Sequence, residues 1–199
     1  MEPGALGSIP VVELEVTGLE RAGRLGDSLA VAYEVNPLVQ WMFHDDLSQK
    51  RLRGLFTSLV EFGVKNGLVY ASAADEGAAI WFPPIPETVD QLDVTTDTAQ
   101  WSGGRRDAAL AALAASRPTA PHFYLDAVGV VPDGRCRGTA STLLAPVLAM
   151  CDAGGVGGYL ENSDSANSSF YRRQGFEEIG AIPMPEGAPV VVSMWRQPR

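Results

Sequence analysis

The chain has 199 residues, 46% of them hydrophobic and 20% charged, which suits one medium-sized domain (1–199) with a real core and argues against extended disorder. A net charge of −9 leaves no basic stripe to neutralise phosphates, so nucleic acid is not the expected partner. Two cysteines, Cys136 and Cys151, are too few for a disulfide framework. No signal-peptide pattern opens the chain, and no apolar run approaches the roughly 20 residues of a bilayer span, so a soluble cytoplasmic protein with no membrane partner is expected.

Alternation over 11–16 predicts a first strand, and helical spacing of Leu25, Leu29, Ala32 and Tyr33 predicts a helix over 19–33. Asn36-Pro37 breaks that helix and begins a short aromatic segment at 39–43. A second helix is predicted over 49–65, with Leu52, Phe56, Leu59 and Val60 on one face. Segments 68–72 and 78–82 read as a hairpin around Asp75-Glu76-Gly77, closed by prolines from Pro83. Residues 88–101 and 105–116 can each hold a helix, separated by Gly103-Gly104. From 123 the pattern tightens into strand 123–131, helix 139–152, strand 156–161, helix 165–174, strand 176–182, a turn at 183–187 and a terminal strand at 190–195. Alternating strands and helices beside an early hairpin imply an α/β (α+β) fold with a mixed sheet.

Two spaced signals in the second half carry chemistry. Arg135-Cys136-Arg137-Gly138-Thr139-Ala140-Ser141 joins a strand to a helix N-terminus. Free amides, two permanent charges and a glycine there suit a diphosphate. Neither a Walker loop nor a dinucleotide fingerprint is present. Further on, Asn167 can offer an amide to a ligand amide, and Tyr171, with an ordinary pKa of about 10, can donate a proton to a departing thiolate. Each signal has a bland alternative: solvated arginines at an ordinary turn, and a core tyrosine.

Together, Arg135-x-x-Gly138-x-Ala140 and Asn167-x-x-Phe170-Tyr171-x-x-x-Gly175-Phe176 resemble the acetyl-CoA motifs of the GNAT superfamily of N-acetyltransferases. Leu160-Glu161-Asn162-Ser163 and Pro185-Glu186-Gly187 look most like puromycin N-acetyltransferase-like enzymes. The resemblance implies a mostly antiparallel central sheet with one splayed parallel strand pair, flanked by helices. It implies that the pantetheine arm of acetyl-CoA pairs with Val128, Gly129 and Val130. The diphosphate would lie on the amides of residues 135–141, with Asn167 and Phe170 beside the arm and Tyr171 as the acid.

An acceptor amine must lose a proton. Strand alternation puts Tyr124, Asp126, Val128 and Val130 on one face, and Asp126 is the only carboxylate there. Burial would raise its pKa towards the working range, which makes it one candidate base. Glu161, at the end of a strand, is the other, as proton relay or as anchor for a cationic amine. Trp41, Phe43, Trp81 and Tyr124 are candidate acceptor-pocket residues, although aromatics at such positions are more often core. His44 and His122 have no ligand-spaced partners, so no metal is expected. Cys136 reads as a small residue tolerated in the loop. The first strand lacks the basic residue usual in the superfamily, and Thr139-Ala140 replaces a more usual Gly-x-Gly.

The leading expectation is therefore transfer of an acetyl group from acetyl-CoA to a primary amine of a small, cationic molecule, an antibiotic or biosynthetic intermediate, by direct attack in a ternary complex. The alternatives are a non-catalytic coenzyme-A-binding regulator or sensor and a protein-amine acetyltransferase. Monomer and homodimer remain open.

Overall fold

The structure is a computed structural model that describes residues 14–44, 47–84, 104–134 and 138–199. The helix expected over 88–101 lies outside the described residues, as do Arg135, Cys136 and Arg137. The strands are β1 (Leu14–Val16), β2 (Leu68–Ser72), β3 (Gly77–Phe82), β4 (His122–Val130), β5 (Gly157–Asn162), β6 (Glu177–Ala181) and β7 (Val192–Arg196). The helices are α1 (Ala22–Tyr33), α2 (Pro37–Met42), α3 (Gln49–Asn66), α4 (Arg105–Ala115), α5 (Thr139–Gly154) and α6 (Ser168–Arg173). The strands form one sheet in the order β1-β2-β3-β4-β5-β7-β6, antiparallel throughout except for the parallel pair β4–β5. The fold is GNAT-like, as expected from the sequence. No helix among the described residues is long and apolar enough to cross a membrane.

The segment expected only to be aromatic, 39–43, is largely the short helix α2. Asn36 caps it by accepting from the N–H groups of Leu38 and Val39, and Pro37 supplies a first helical residue with φ already set. The helix expected over 165–174 begins as a 3-10 turn (Ser165–Asn167) before α6.

Both faces of the sheet are covered. Ala78, Ile80 and Phe82 of β3 face one way, onto Leu25 and Leu29 of α1 and Phe56 and Val60 of α3. Ala79 and Trp81 face the other, onto Leu143, Leu144 and Val147 of α5. This period-2 division explains why every residue of β3 is buried. A smaller cluster joins Leu38 of α2 and Ala109 and Leu113 of α4 to Ile182 and Val191.

Strand β4 departs from simple alternation. Ile80 is opposite Ala127 and Trp81 is opposite Leu125, so Asp126 is an extra residue in β4, a bulge. The expected single face of Tyr124, Asp126, Val128 and Val130 is corrected here. Tyr124 packs with the α1–α3 cluster, whereas Val128 and Val130 pack with the α5 cluster. One inserted residue reverses the parity of everything after it.

Two close approaches fix the helices over the sheet. A Cβ added at Gly129 would lie 2.9 Å from both Ala32 Cβ and Leu29 Cδ2, so the missing side chain lets α1 descend onto β4. Gly26 does the same between α1 and α3, where a Cβ would meet Thr57 Oγ1 at 2.2 Å and its backbone N at 2.7 Å. Gly26→Val should force these helices apart and lower stability by about 1–3 kcal/mol, read as a lower urea midpoint at constant slope.

Candidate active site

The register of β4 with β5 runs from His122–Gly157 to Leu125–Leu160 and stops. Beyond it the strands part, and the Val128 N–H goes to the Tyr33 hydroxyl of α1 at 3.2 Å. A cleft of about 500 Å³ opens in the gap. Its walls are Ala127 to Val130 of β4, Tyr33, Val35 and Asn36, the first turn of α5, the segment after β5, and Phe170 and Tyr171 of α6. Parting of two parallel strands at their carboxyl ends gives an open α/β sheet its binding crevice.

At one end stands the N-terminus of α5. Gly138 precedes it as the N-cap with φ +81°, a left-handed conformation that favours glycine, and as a glycine it brings no side chain to the helix end. Gly138, Thr139, Ala140 and Ser141 line the cleft, and the N-terminus of this 16-residue helix offers amides and a positive dipole end. Arg173 lines the cleft too. The sequence reading passed over it, although it lies inside the Phe170-Tyr171-Arg172-Arg173 run. These groups fit a diphosphate.

Asn167, exposed at the start of α6, and Phe170 line the same cleft. The segment leading into α6 is fixed by Asn162, which donates to Ser168 Oγ at 3.0 Å and accepts from Asp164 N at 3.3 Å. Tyr171 is wedged edge-on between Phe170 and Phe176, and its hydroxyl makes no hydrogen bond among the described residues. Burial, with the nearby Asp164 charge adding to it, raises its pKa, so the hydroxyl keeps its proton throughout the neutral range.

The other end is acidic. Asp126 and Glu161 both line the cleft. Burial raises the Asp126 carboxyl to about 6; Arg117 opposes the shift and Glu161 reinforces it. Burial likewise raises Glu161 above the usual carboxylate range, against Arg117 and the Tyr124 hydroxyl. Tyr124 donates to Glu161 Oε2 at 2.7 Å. Arg117 lies with its guanidinium 4.3 Å from the Tyr124 ring centre and its Nε 3.5 Å from Glu161 Oε1. That contact is an ion pair without hydrogen-bond geometry, for neither atom has a hydrogen-bond partner. Both side chains are largely buried, with Arg117 16% and Glu161 6% exposed. Two carboxylates therefore face one guanidinium, and the cluster has room for one more positive charge.

The structure brings Asp126, Glu161, Val128, Gly129, Val130, Gly138 to Ser141, Asn167, Phe170 and Tyr171 to one cleft. It does not bring the early aromatics there. Trp81 is fully buried beneath α5, because its parity in β3 points it to the α5 face. Phe43 is 5% exposed in the α1–α3 core. Trp41 packs in the α2–α4 cluster under Arg105. Tyr124 lies beneath the cleft, where it holds Glu161. Arg117, Tyr33, Asn36 and Ser163 were missed. Asn36 Nδ2 donates to Ser163 Oγ at 3.0 Å, which ties together two walls of the cleft. Arg117 follows an Ala/Leu-rich helix and has no periodic signal; only the fold brings it to Glu161.

No family model matches the sequence. Solved structures share the fold. A histone acetyltransferase and related acetyltransferase from Corynebacterium glutamicum is 23% identical, over 94% of this chain and 97% of that one, with a TM-score of 0.69. A polyamine N-acetyltransferase from Drosophila melanogaster that forms N-acetylagmatine is 15% identical over 94% and 99%, with a TM-score of 0.61. The PaiA N-acetyltransferase from Thermoplasma acidophilum, in complex with coenzyme A, is 13% identical over 94% and 98%, with a TM-score of 0.55.

The raised pKa of Asp126 has a stability consequence. Between the unfolded value of about 4 and the folded value of about 6, the folded state binds more protons, so stability falls as pH rises through that window. Asp126→Asn removes the penalty. Urea unfolding should show the variant more stable than wild type at pH 8, by about 1–2 kcal/mol after allowance for solvent in the cleft, with the difference vanishing below pH 4.

Proposed function

We propose that the protein is an acetyl-CoA-dependent N-acetyltransferase acting on a primary amine of a small, cationic molecule. The supporting observation is a single cleft with a glycine-led helix N-terminus at one end, two carboxylates against one guanidinium at the other, and a tyrosine hydroxyl with no hydrogen bond among the described residues. The first end suits the diphosphate of the coenzyme, and the β4 edge beyond Leu125 suits its pantetheine amides. The acidic end suits an amine. When bound, the thioester supplies an activated acetyl group.

Asp126, with its carboxyl raised to about 6, is ionised at neutral pH yet basic enough to take a proton from an ammonium or attacking amine. Glu161, short of one hydrogen bond, holds the acceptor's cationic group or passes the proton through water. Tyr171 protonates the thiolate that leaves. The nitrogen–carbon bond forms, the carbon–sulfur bond breaks, and the proton on the carboxylate returns through solvent to Tyr171. Leu160-Glu161-Asn162-Ser163 and Pro185-Glu186-Gly187 support a puromycin N-acetyltransferase-like branch, and hence an antibiotic or biosynthetic amine.

Thiol release from acetyl-CoA should be stimulated by members of a panel of aminonucleosides, aminoglycosides and polyamines. Stimulation only by lysine peptides would point to a protein acceptor, and coenzyme binding without release by any amine to a sensor. With a true substrate, Tyr171→Phe should lower kcat by about 10²–10⁴-fold. The acidic limb of kcat/KM should have its midpoint near pH 6 and disappear in Asp126→Asn, whereas Glu161→Gln should chiefly raise KM for the amine. A limb unchanged in both variants sinks both assignments.

A further inference from the structure

We infer that Tyr33 is a catalytic residue of this cleft, its hydroxyl and the Val128 N–H together forming a two-donor cradle for the thioester carbonyl oxygen. The inference rests on the coenzyme reading above and adds to it a side chain from α1, far in sequence from both acetyl-CoA motifs.

The Tyr33 hydroxyl stands where β4 leaves β5. It accepts the Val128 N–H at 3.2 Å, in place of a β5 carbonyl, and lines the cleft beside that amide. Its own proton has no acceptor among the described residues. A hydroxyl that accepts from an amide and has a proton to spare marks a point on which two donors converge. A carbonyl oxygen entering the gap takes the amide hydrogen that Tyr33 now accepts and receives the hydroxyl proton as a second hydrogen bond.

Three features hold the group ready. The ring packs on Phe56, with centroids 4.8 Å apart. Gly129 lets α1 press onto β4, where a Cβ would come within 3.3 Å of the Tyr33 ring. Burial keeps the hydroxyl protonated, with Tyr171 and Asp126 adding to the effect. A donor fixed before the reaction and shielded from water is worth most to a charge that develops only as bonds change. As the amine nitrogen bonds to the carbonyl carbon, negative charge gathers on the oxygen between Tyr33 and Val128. When the carbon–sulfur bond breaks, the carbonyl re-forms. Tyr33 gives up no proton, so its task differs from that of Tyr171.

The test needs no acceptor. Acetyl-CoA labelled with ¹³C at the carbonyl is bound to wild type and to Tyr33→Phe, which keeps the ring on Phe56, and the carbonyl stretch is read by difference infrared spectroscopy. Titration with free coenzyme A, which has no carbonyl at this point, should give the same Kd for both proteins and so shows the variant's cleft intact. In wild type the bound band should lie below that of the free thioester, and in Tyr33→Phe it should move back towards it. With an acceptor in hand, kcat should fall by about 10²-fold at little change in KM for acetyl-CoA. Identical bands in the two loaded proteins would overturn the role of Tyr33 alone. Failure of wild type to bind either coenzyme form would overturn the coenzyme reading and this role with it.

Discussion

The parting of β4 from β5 is the constraint on which the remaining chemistry depends. Four residue pairs of parallel register bring the strands together, and past Leu125 and Leu160 the ladder ends. Asp126, the extra residue of β4, sits at that point, and a bulge there bends the strand and sharpens its twist. The same insertion exchanges the faces of Val128 and Val130, which keeps them on the α5 core while the backbone beside them is left without a strand partner on the β5 side. Main-chain groups must find partners when buried, and here the Val128 N–H takes the Tyr33 hydroxyl at the border of the cleft.

Charge is distributed along the cleft in keeping with that geometry. The positive end of α5 and Arg173 stand at one side, Asp126 and Glu161 at the other. The acidic end is costly to the fold, because burial raises both carboxylates. Arg117 offsets only part of the cost, since its Nε approaches Glu161 without a hydrogen bond. Tyr124 holds the other oxygen of Glu161 and lies under the guanidinium, so an aromatic ring organises the pair from beneath. A fully neutralised cluster would be more stable and would carry no excess negative charge.

Most of the sheet could be read in the sequence because its strands obey a local rule. β2, β3, β5 and β7 are short and bounded by turn residues, and the longer helices declared themselves by spacing, whereas Asn36-Pro37 read as a helix break and in fact caps the short α2. The glycine and asparagine–tyrosine signals placed both cleft walls contributed by the second half of the chain. What failed was parity. Nothing in Tyr124-Leu125-Asp126-Ala127 announces a bulge, which exists only as a mismatch with β3, so the predicted face was wrong beyond it. The aromatics Trp41, Phe43 and Trp81 suggested a pocket by type; tertiary packing used Phe43 and Trp81 as core and left Trp41 half-buried beside α4. Arg117 and Tyr33 escaped for the opposite reason. Tyr33 is brought to the cleft by Val128 and Arg117 to the cleft residue Glu161, contacts more than forty residues distant in sequence, and local patterning contains no trace of such pairs.

The bulge belongs to the pairing of two backbones and not to the side chain it displays. Ile80 pairs with Ala127 and Trp81 with Leu125, and 126 stands between these pairs with no partner in the β3 register. The position is thus a socket: the scaffold sets one half-buried residue in the cleft wall beside the gap, outside the register that joins β3 to β4. A single substitution at 126 would change the charge at the acidic end of the cleft and leave the first turn of α5 untouched.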